Sequence, residues 1–465
     1  MKFKNLLVYL IIVLVLTILY VPRVYETIDT SKNFVYSGIA LFSIVVYLVA
    51  FRRLYKSWVR FEPMFLLGFI IVHFQVPYLF SIGIDPGRPE LVWLNKDVVN
   101  YATWLSSVTI HLWMIGSVIS TLRDIRKTTL KISPSYTYNV KKLDLILIIS
   151  FLGFFGLAGG ALLSGSHDGM GSWGEGASYF MILLRVCLYF RVYIFFKFLK
   201  KLTIVNIIKG NFWFLSILLI YLFTFLLIGD RGPFLQMVLV IMLCYGIFIH
   251  RIKFTSLVAL VVVGSLLLTI IGLGRSLEDG NMFESGYSKF QNSESNPTDE
   301  LASSVRIMYR AITYFPEQID YLYGLQFLIG ILGIVPFASG LFITAFGIPT
   351  ELTASSRMFT YIGQGNNVTY GEGTEIVSDI FINFGIYGVF IIMFLYGYFT
   401  SKVSFNAIKK HSDKYFLILL VITSTAIYIN RAQFLMPLRD IIYILVIFRI
   451  VRKQTRFNNN QVNES

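Results

Sequence analysis

The sequence predicts an all-α, polytopic membrane protein, and three observations carry that expectation. Of the 465 residues, 56% are hydrophobic and only 14% are charged, whereas soluble domains carry about 25% charge. The apolar residues fall in unbroken runs of about 17–25, long enough at about 1.5 Å per residue to cross about 30 Å of hydrocarbon. Helices or closed barrels alone satisfy their backbone in lipid, and a barrel would need alternating polarity. The third observation is that basic residues concentrate in every second loop.

The first run, after Met1-Lys-Phe-Lys4, reaches Tyr20 without a small-x-small cleavage site, so it reads as a retained helix. Further spans are expected at 34–51, 63–83, 99–122, 143–164, 179–196, 212–228, 233–250 and 254–273, then at 379–400, 415–430 and 434–451. This makes about twelve. The basic loops hold Arg52, Arg53, Lys56 and Arg60; Arg123, Arg126, Lys127, Lys131, Lys141 and Lys142; Lys197, Lys200, Lys201 and Lys209; and Arg251 and Lys253. These loops face the cytoplasm by the positive-inside rule, with the N-terminus on the same side. They account for the net charge of +14 without nucleic acid. Cys187 and Cys244 lie inside apolar runs and say nothing of redox compartment.

The stretch 326–346 is apolar but interrupted by Gly330, Gly333, Pro336 and Gly340. If it spanned, Lys402, Lys409, Lys410 and Lys414 would fall outside together with the tail. The positive-inside rule therefore favours a re-entrant or surface-lying segment and cytoplasmic termini. Three regions result: a nine-helix region 1–273, a large extracytoplasmic loop 274–378, and a three-helix region with its tail, 379–465.

The outer face carries the candidate chemistry. Gly229-Asp-Arg-Gly-Pro233 is a very short outer turn in which Pro233 suits a first helical turn. A helix N-terminus with Arg231 offers N–H groups and a planar guanidinium to phosphate oxygens; alternatively Asp230 and Arg231 simply pair. Arg275, Arg431 and Arg439 lie at outer helix ends. Arg185 is buried in the sixth run, where an unpaired charge costs about 2.5–3.5 kcal/mol, so a partner is expected: Asp440 or a bound anion. Arg191, deeper in that run, can snorkel inward. Clustered arginines at one membrane rim suit a lipid diphosphate, whose tail stays in the bilayer. Arg306 and Arg310 lie one turn apart on a helical face. With Tyr309 and Tyr314 they suit glycan or second-lipid contacts, although an interfacial aromatic belt predicts tyrosines too. Four glycines between 363 and 373 form a close-approach loop delivering Glu372, Glu375 and Asp379. Asp379 and Glu375 are the candidates for assisting an acceptor hydroxyl, or they cap a helix. No metal-ligand spacing occurs, and no metal or other cofactor is assigned.

GDRGP, the block YGEGTEIVSDIFINFGIYGVF (370–390) and the turn with Arg431 and Arg439 together resemble the Wzy-type family of O-antigen and capsule repeat-unit polymerases. The resemblance maps the family's arginines to Arg231, Arg431 and Arg439. It maps the acid before its Asn-Phe-Gly block to Asp379, where glutamate is expected. It implies a GT-C-like membrane glycosyltransferase of the bacterial inner membrane, using undecaprenyl-diphosphate-linked oligosaccharides and no nucleotide sugar. A chain-length regulator and a flippase are the partners it brings. The rivals are an O-antigen ligase, which should show an outer-loop histidine where only His167 is found, and a lipid-linked oligosaccharide flippase, which should show internal repeats.

Overall fold

The computed structural model describes residues 3–55, 57–126, 136–163, 176–199, 203, 208, 210–228, 230–274, 282–291, 296 and 298–454. In chain order its apolar helices are α1 Phe3–Leu19, α2 Thr30–Arg52, α3 Phe61–Ser81, α4 Val99–Arg126, α5 Val140–Leu163, α6 Ala177–Phe198, α7 Phe212–Ile228, α8 Arg231–Phe248 and α9 Phe254–Gly274. Short helices follow at Met282–Gln291 and Asp299–Ala302, and then α10 Val305–Tyr314, α11 Leu325–Leu332, α12 Ala338–Phe346 and α13 Ser355–Gln364. The chain closes with α14 Ile376–Ile408, α15 Asp413–Ser424 and α16 Leu438–Val451. Among the described residues, six helices are long and apolar enough to cross a membrane: α2, α3, α4 with its lead-in from Pro89, α5, α6 and α14; α1, α7 and α8 are shorter apolar helices.

The stretch expected to dip and return divides into α11 and α12, of 8 and 9 residues. At about 1.5 Å per residue neither reaches half the hydrocarbon thickness. Pro336 and the left-handed Phe337 separate them.

The bundle is built around α4 and α14, which touch along most of their length. Small residues let the two backbones meet, as is common where membrane helices pack. A side chain at Gly116 would strike the carbonyl of Phe394, and one at Gly397 would strike the carbonyl of Trp113. Trp113, Phe61, Phe65 and Tyr396 fill the space beside this crossing with ring contacts at 4.9–6.4 Å. Midway along α14, Gly385 takes φ 66° and ψ −169°, a conformation open essentially to glycine alone. The kink lets Tyr321 pack against that glycine at about the distance of a missing side chain.

Several helix ends differ from the sequence expectation: α2 begins at Thr30, α14 runs on to Ile408 and α16 begins at Leu438, and two further differences have a local cause. The span expected to reach 430 stops at Ser424, followed by a tight turn at Tyr428–Arg431. The reason is the Thr423-Ser424-Thr425 run. Ser424 Oγ donates to the Val421 carbonyl at 2.8 Å and Thr425 Oγ1 to that of Ile422 at 3.2 Å, competing with the helical ladder. Asn430 then turns back to bond the carbonyls of Phe65 and Ala426. At the other boundary, α14 starts three residues early because Glu375 caps it, accepting from the Val377 and Ser378 N–H groups.

The basic loops collect at one end of the bundle. There Lys197 pairs with Asp413 at 2.6 Å and Lys410 with Asp124 at 3.4 Å, and Arg123 donates to Tyr398 at 3.0 Å. The chain's last described residues join them: β2, Arg452–Gln454, pairs antiparallel with β1, Tyr136–Tyr138.

Candidate functional site

At the end away from the basic loops, three polar clusters form, and one turn touches all of them.

The first is ionic. The four-residue spacing in α10 places Arg306 and Arg310 on one face, and the glycine-rich loop after α13 brings Glu372 between them. Arg306 donates from Nε at 3.1 Å and from Nη2 at 2.8 Å to Glu372 Oε2, while Arg310 Nη1 lies 3.2 Å from Oε1. The Glu372 N–H donates to Thr360 Oγ1 at 3.0 Å, fixing the loop to α13. Gly363 makes this approach feasible, since a Cβ there would collide with Arg310 and sit 3.0 Å from Glu372 Oε1. Arg431 extends the cluster, pairing with Glu300 at 3.2 Å. Three guanidiniums thus face two carboxylates, which leaves one cation in excess.

Burial alone would raise the Glu372 carboxyl, but the bonds from Arg306 and the charge of Arg310 outweigh it and hold it below the usual carboxylate range. A group with a depressed folded pKa stabilises the fold above its unfolded value, near 4.5, and that contribution fades as pH falls through the folded value. Thermal unfolding of purified wild-type protein and of Glu372→Gln, compared from pH 7 to pH 3.5, should show a stability gap that is constant above about pH 5 and narrows below about 4.5. A gap unchanged at the acid end contradicts this assignment.

The second cluster surrounds the head of α14. Asp379 Oδ2 accepts the Phe434 N–H at 2.8 Å, and Glu375 caps the helix. His73, in a π-helical turn of α3 at Ile70–Phe74, places Nε2 3.4 Å from Glu375 Oε2, both side chains fully buried. The third cluster joins α6, α8 and α16. Arg185 Nη2 reaches Asp440 at 2.7 Å and its Nη1 reaches Gln236 at 3.2 Å. The partner expected for Arg185 is therefore Asp440. Beside it Arg439, only partly buried, makes no hydrogen bond or ion pair among the described residues.

The turn 431–440 supplies Arg431 to the first cluster, Phe434 to the second and Asp440 to the third. Residues far apart in sequence are thereby held around one short segment.

Other candidates fall elsewhere. Arg275 and His167 lie outside the described residues, as does the side chain of Arg231. The Arg231 backbone opens α8, capped by Asp230, which accepts from the Gly232 N–H at 3.2 Å. Asp230 thus turns to the backbone as a helix cap. Tyr309 is packed in the core rather than presented to a glycan, and Tyr314 is half-buried. Arg191 does not snorkel: it pairs with Asp144 at 2.9 Å and donates to Asn211 at 2.8 Å. Glu375 and Asp379 are enclosed, the first as the helix cap already foreseen as the alternative to catalysis. Sequence reasoning missed His73, Glu300 and Gln236. A buried arginine announces that a partner exists, but nothing local says which residue it is.

These features define an all-α, multi-pass membrane protein with its polar machinery at the bundle end opposite its basic loops. Comparison with known families narrows the class. The sequence model of O-antigen polysaccharide polymerase Wzy matches residues 7–453, nearly the whole chain, and the protein belongs to that family. No curated protein and no solved structure matches it. It is an O-antigen repeat-unit polymerase, a multi-pass protein of the bacterial inner membrane that acts on lipid-linked oligosaccharides.

Proposed function

We propose that the turn 431–440 forms the floor of the site where a lipid-diphosphate-linked glycan is transferred. The observation that carries this is Arg439: a partly exposed guanidinium without a partner among the described residues, beside the Arg185–Asp440 pair. In the transfer, a hydroxyl oxygen of the incoming lipid-linked unit bonds to the anomeric carbon of the growing glycan. The bond from that carbon to the diphosphate oxygen breaks, and the lipid diphosphate leaves with the electron pair. The hydroxyl proton passes to a base or to the departing diphosphate. Guanidiniums at the oxygen where charge develops favour this departure. Arg439 and Arg431, with Arg231 and Arg275, take the diphosphate role. Arg185 holds Asp440 and so sets where Arg439 stands. Arg306 and Arg310, buried against Glu372, take the second lipid or the glycan once the loop that carries Glu372 opens, with Tyr314 at the cluster's edge. Because Asp379 and Glu375 are enclosed, we assign them to positioning: they anchor Phe434 and the head of α14, and a catalytic part for either requires that the loop open.

Around this site we place about twelve spans in a GT-C-like arrangement. Both termini and the basic loops are cytoplasmic, 274–378 is extracytoplasmic, and the regions 1–273 and 379–465 form the membrane body. The donor is undecaprenyl-diphosphate-linked, and a flippase and a chain-length regulator act beside the enzyme. Contacts of α14, α15 and β2 with the basic loops support this topology, since they put the last helices on the side that two short helices, α11 and α12, would leave them.

In a strain lacking its own copy, Arg439→Ala should lower polymer formation about 10²–10³-fold, the cost of losing one preorganised donor to a developing oxyanion. Gel analysis of surface glycan should show single units in place of a ladder. A wild-type ladder at equal protein level would refute the role of Arg439.

A further inference from the structure

A second built site lies at the opposite end of the bundle, among the basic loops. An open groove of about 850 Å³ runs between α2 and the start of α9. Its walls are apolar, with Val45, Leu48 and Val49 on one side and Trp58 and Phe254 on the other, the last two in ring contact at 4.8 Å. Its rim is basic: Arg52, His250, Arg251 and Lys253 line it and are exposed. Arg52, Arg251 and Lys253 form no ion pair among the described residues.

Arg251 also lines an adjoining pocket of about 220 Å³ with Tyr55, Ser57, Arg60 and Lys409. That pocket holds buried donors without hydrogen-bond partners among the described residues: Nε and Nη1 of Arg60, Oγ of Ser57 and the hydroxyl of Tyr55. Arg60 is 2% exposed. Its ion-pair partner among the described residues, Glu62, stands 3.7 Å away, too far for a hydrogen bond. Buried donors of this kind are costly unless something accepts from them. Among the described residues, the cations of the rim and of the pocket outnumber the acids near them, Glu62 and Asp124.

We propose that this composite cavity is a binding site for an anionic glycerophospholipid. The acyl chains lie in the groove between α2 and α9, and the headgroup phosphate enters the small pocket, accepting from Arg60, Ser57 and Arg251. Three observations converge: an apolar trough between α2 and α9, a polar pocket that shares Arg251 with it, and buried donors there that lack acceptors among the described residues. Basic pockets between membrane helices favour acidic headgroups in this way. The site is separate from the polymerase chemistry and stands whatever the role of Arg439. Its place at the junction of α2, α3, α8, α9 and α14 gives the lipid a structural or regulatory part.

The full chain reconstituted into nanodiscs of equal phosphatidylglycerol and phosphatidylethanolamine, then extracted and washed in detergent, tests this by mass spectrometry of retained lipid. Wild-type protein should retain phosphatidylglycerol about fivefold over phosphatidylethanolamine, the scale expected for one or more surface cations. The double variant Arg251→Gln/Lys253→Gln, altered at exposed positions, should return to the input ratio. Retention at the input ratio by wild type, or unchanged enrichment in the double variant, overturns the proposal. If the double variant fails to accumulate, Val49→Trp decides. It fills the groove without touching charge, so loss of retained phosphatidylglycerol supports the site and wild-type enrichment overturns it.

Discussion

Replacing Glu372 with alanine should destabilise the protein by about 3–5 kcal/mol, the cost of leaving buried charges unpaired when one partner of an ion pair is removed. Glu372 holds both Arg306 and Arg310, and all three side chains are buried. Without the carboxylate, two like charges one helical turn apart lose the anion between them. The loop from Gly365 to Glu375 also loses its anchor to α10. Because Arg431 approaches the same cluster through Glu300, the effect reaches the turn 431–440. The thermal midpoint of detergent-solubilised Glu372→Ala should drop steeply, with protease cleavage appearing first between α13 and α14. Glu372→Gln keeps the shape and some hydrogen bonds and should lose less. Equal midpoints for wild type and Glu372→Ala would show that the cluster is solvated and structurally idle.

An effect of comparable size is expected at the crossing of α4 and α14. A leucine at Gly397 would drive its side chain into the Trp113 carbonyl, and one at Gly116 into that of Phe394. Neither obstacle is the flexible end of a side chain. Both are helix backbone, so the helices must separate. Overpacking a tight core costs about 1–3 kcal/mol even for small additions, and this interface is the most extensive helix pair among the described residues. Gly397→Ala should lower the midpoint measurably, and Gly397→Leu should abolish accumulation of folded protein. Gly156→Leu is the matched control: it lies in an apolar helix with nothing within 4 Å of the added carbon, and it should accumulate as wild type. Normal accumulation of Gly397→Leu would mean that α4 and α14 do not meet there.

Much of the architecture was legible because membrane insertion writes itself into sequence as long apolar runs and loop charge. Those signals are local. The broken segment 325–346 was legible for the same reason, since glycine and proline punctuate it visibly. The early end of α15 was less so: Thr423-Ser424-Thr425 is apolar enough to pass within a span, yet its hydroxyls compete for backbone carbonyls. At the site, the spacing of Arg306 and Arg310 correctly placed them on one face, but spacing does not say what a face meets. Their partner Glu372 lies over sixty positions away, and Arg431 finds Glu300 from 131 positions on. His73 was invisible as a site residue because its charged contact, Glu375, arrives from the far end of the chain.

The most direct test uses purified protein with a synthetic lipid-diphosphate-linked repeat unit and no nucleotide sugar. Chromatography and mass spectrometry should show a ladder of glycans on lipid, with one free lipid diphosphate released per unit joined. Recovery of the unit unextended by protein that is folded and active in cells, or extension that requires a nucleotide sugar, would contradict transfer from a lipid diphosphate donor.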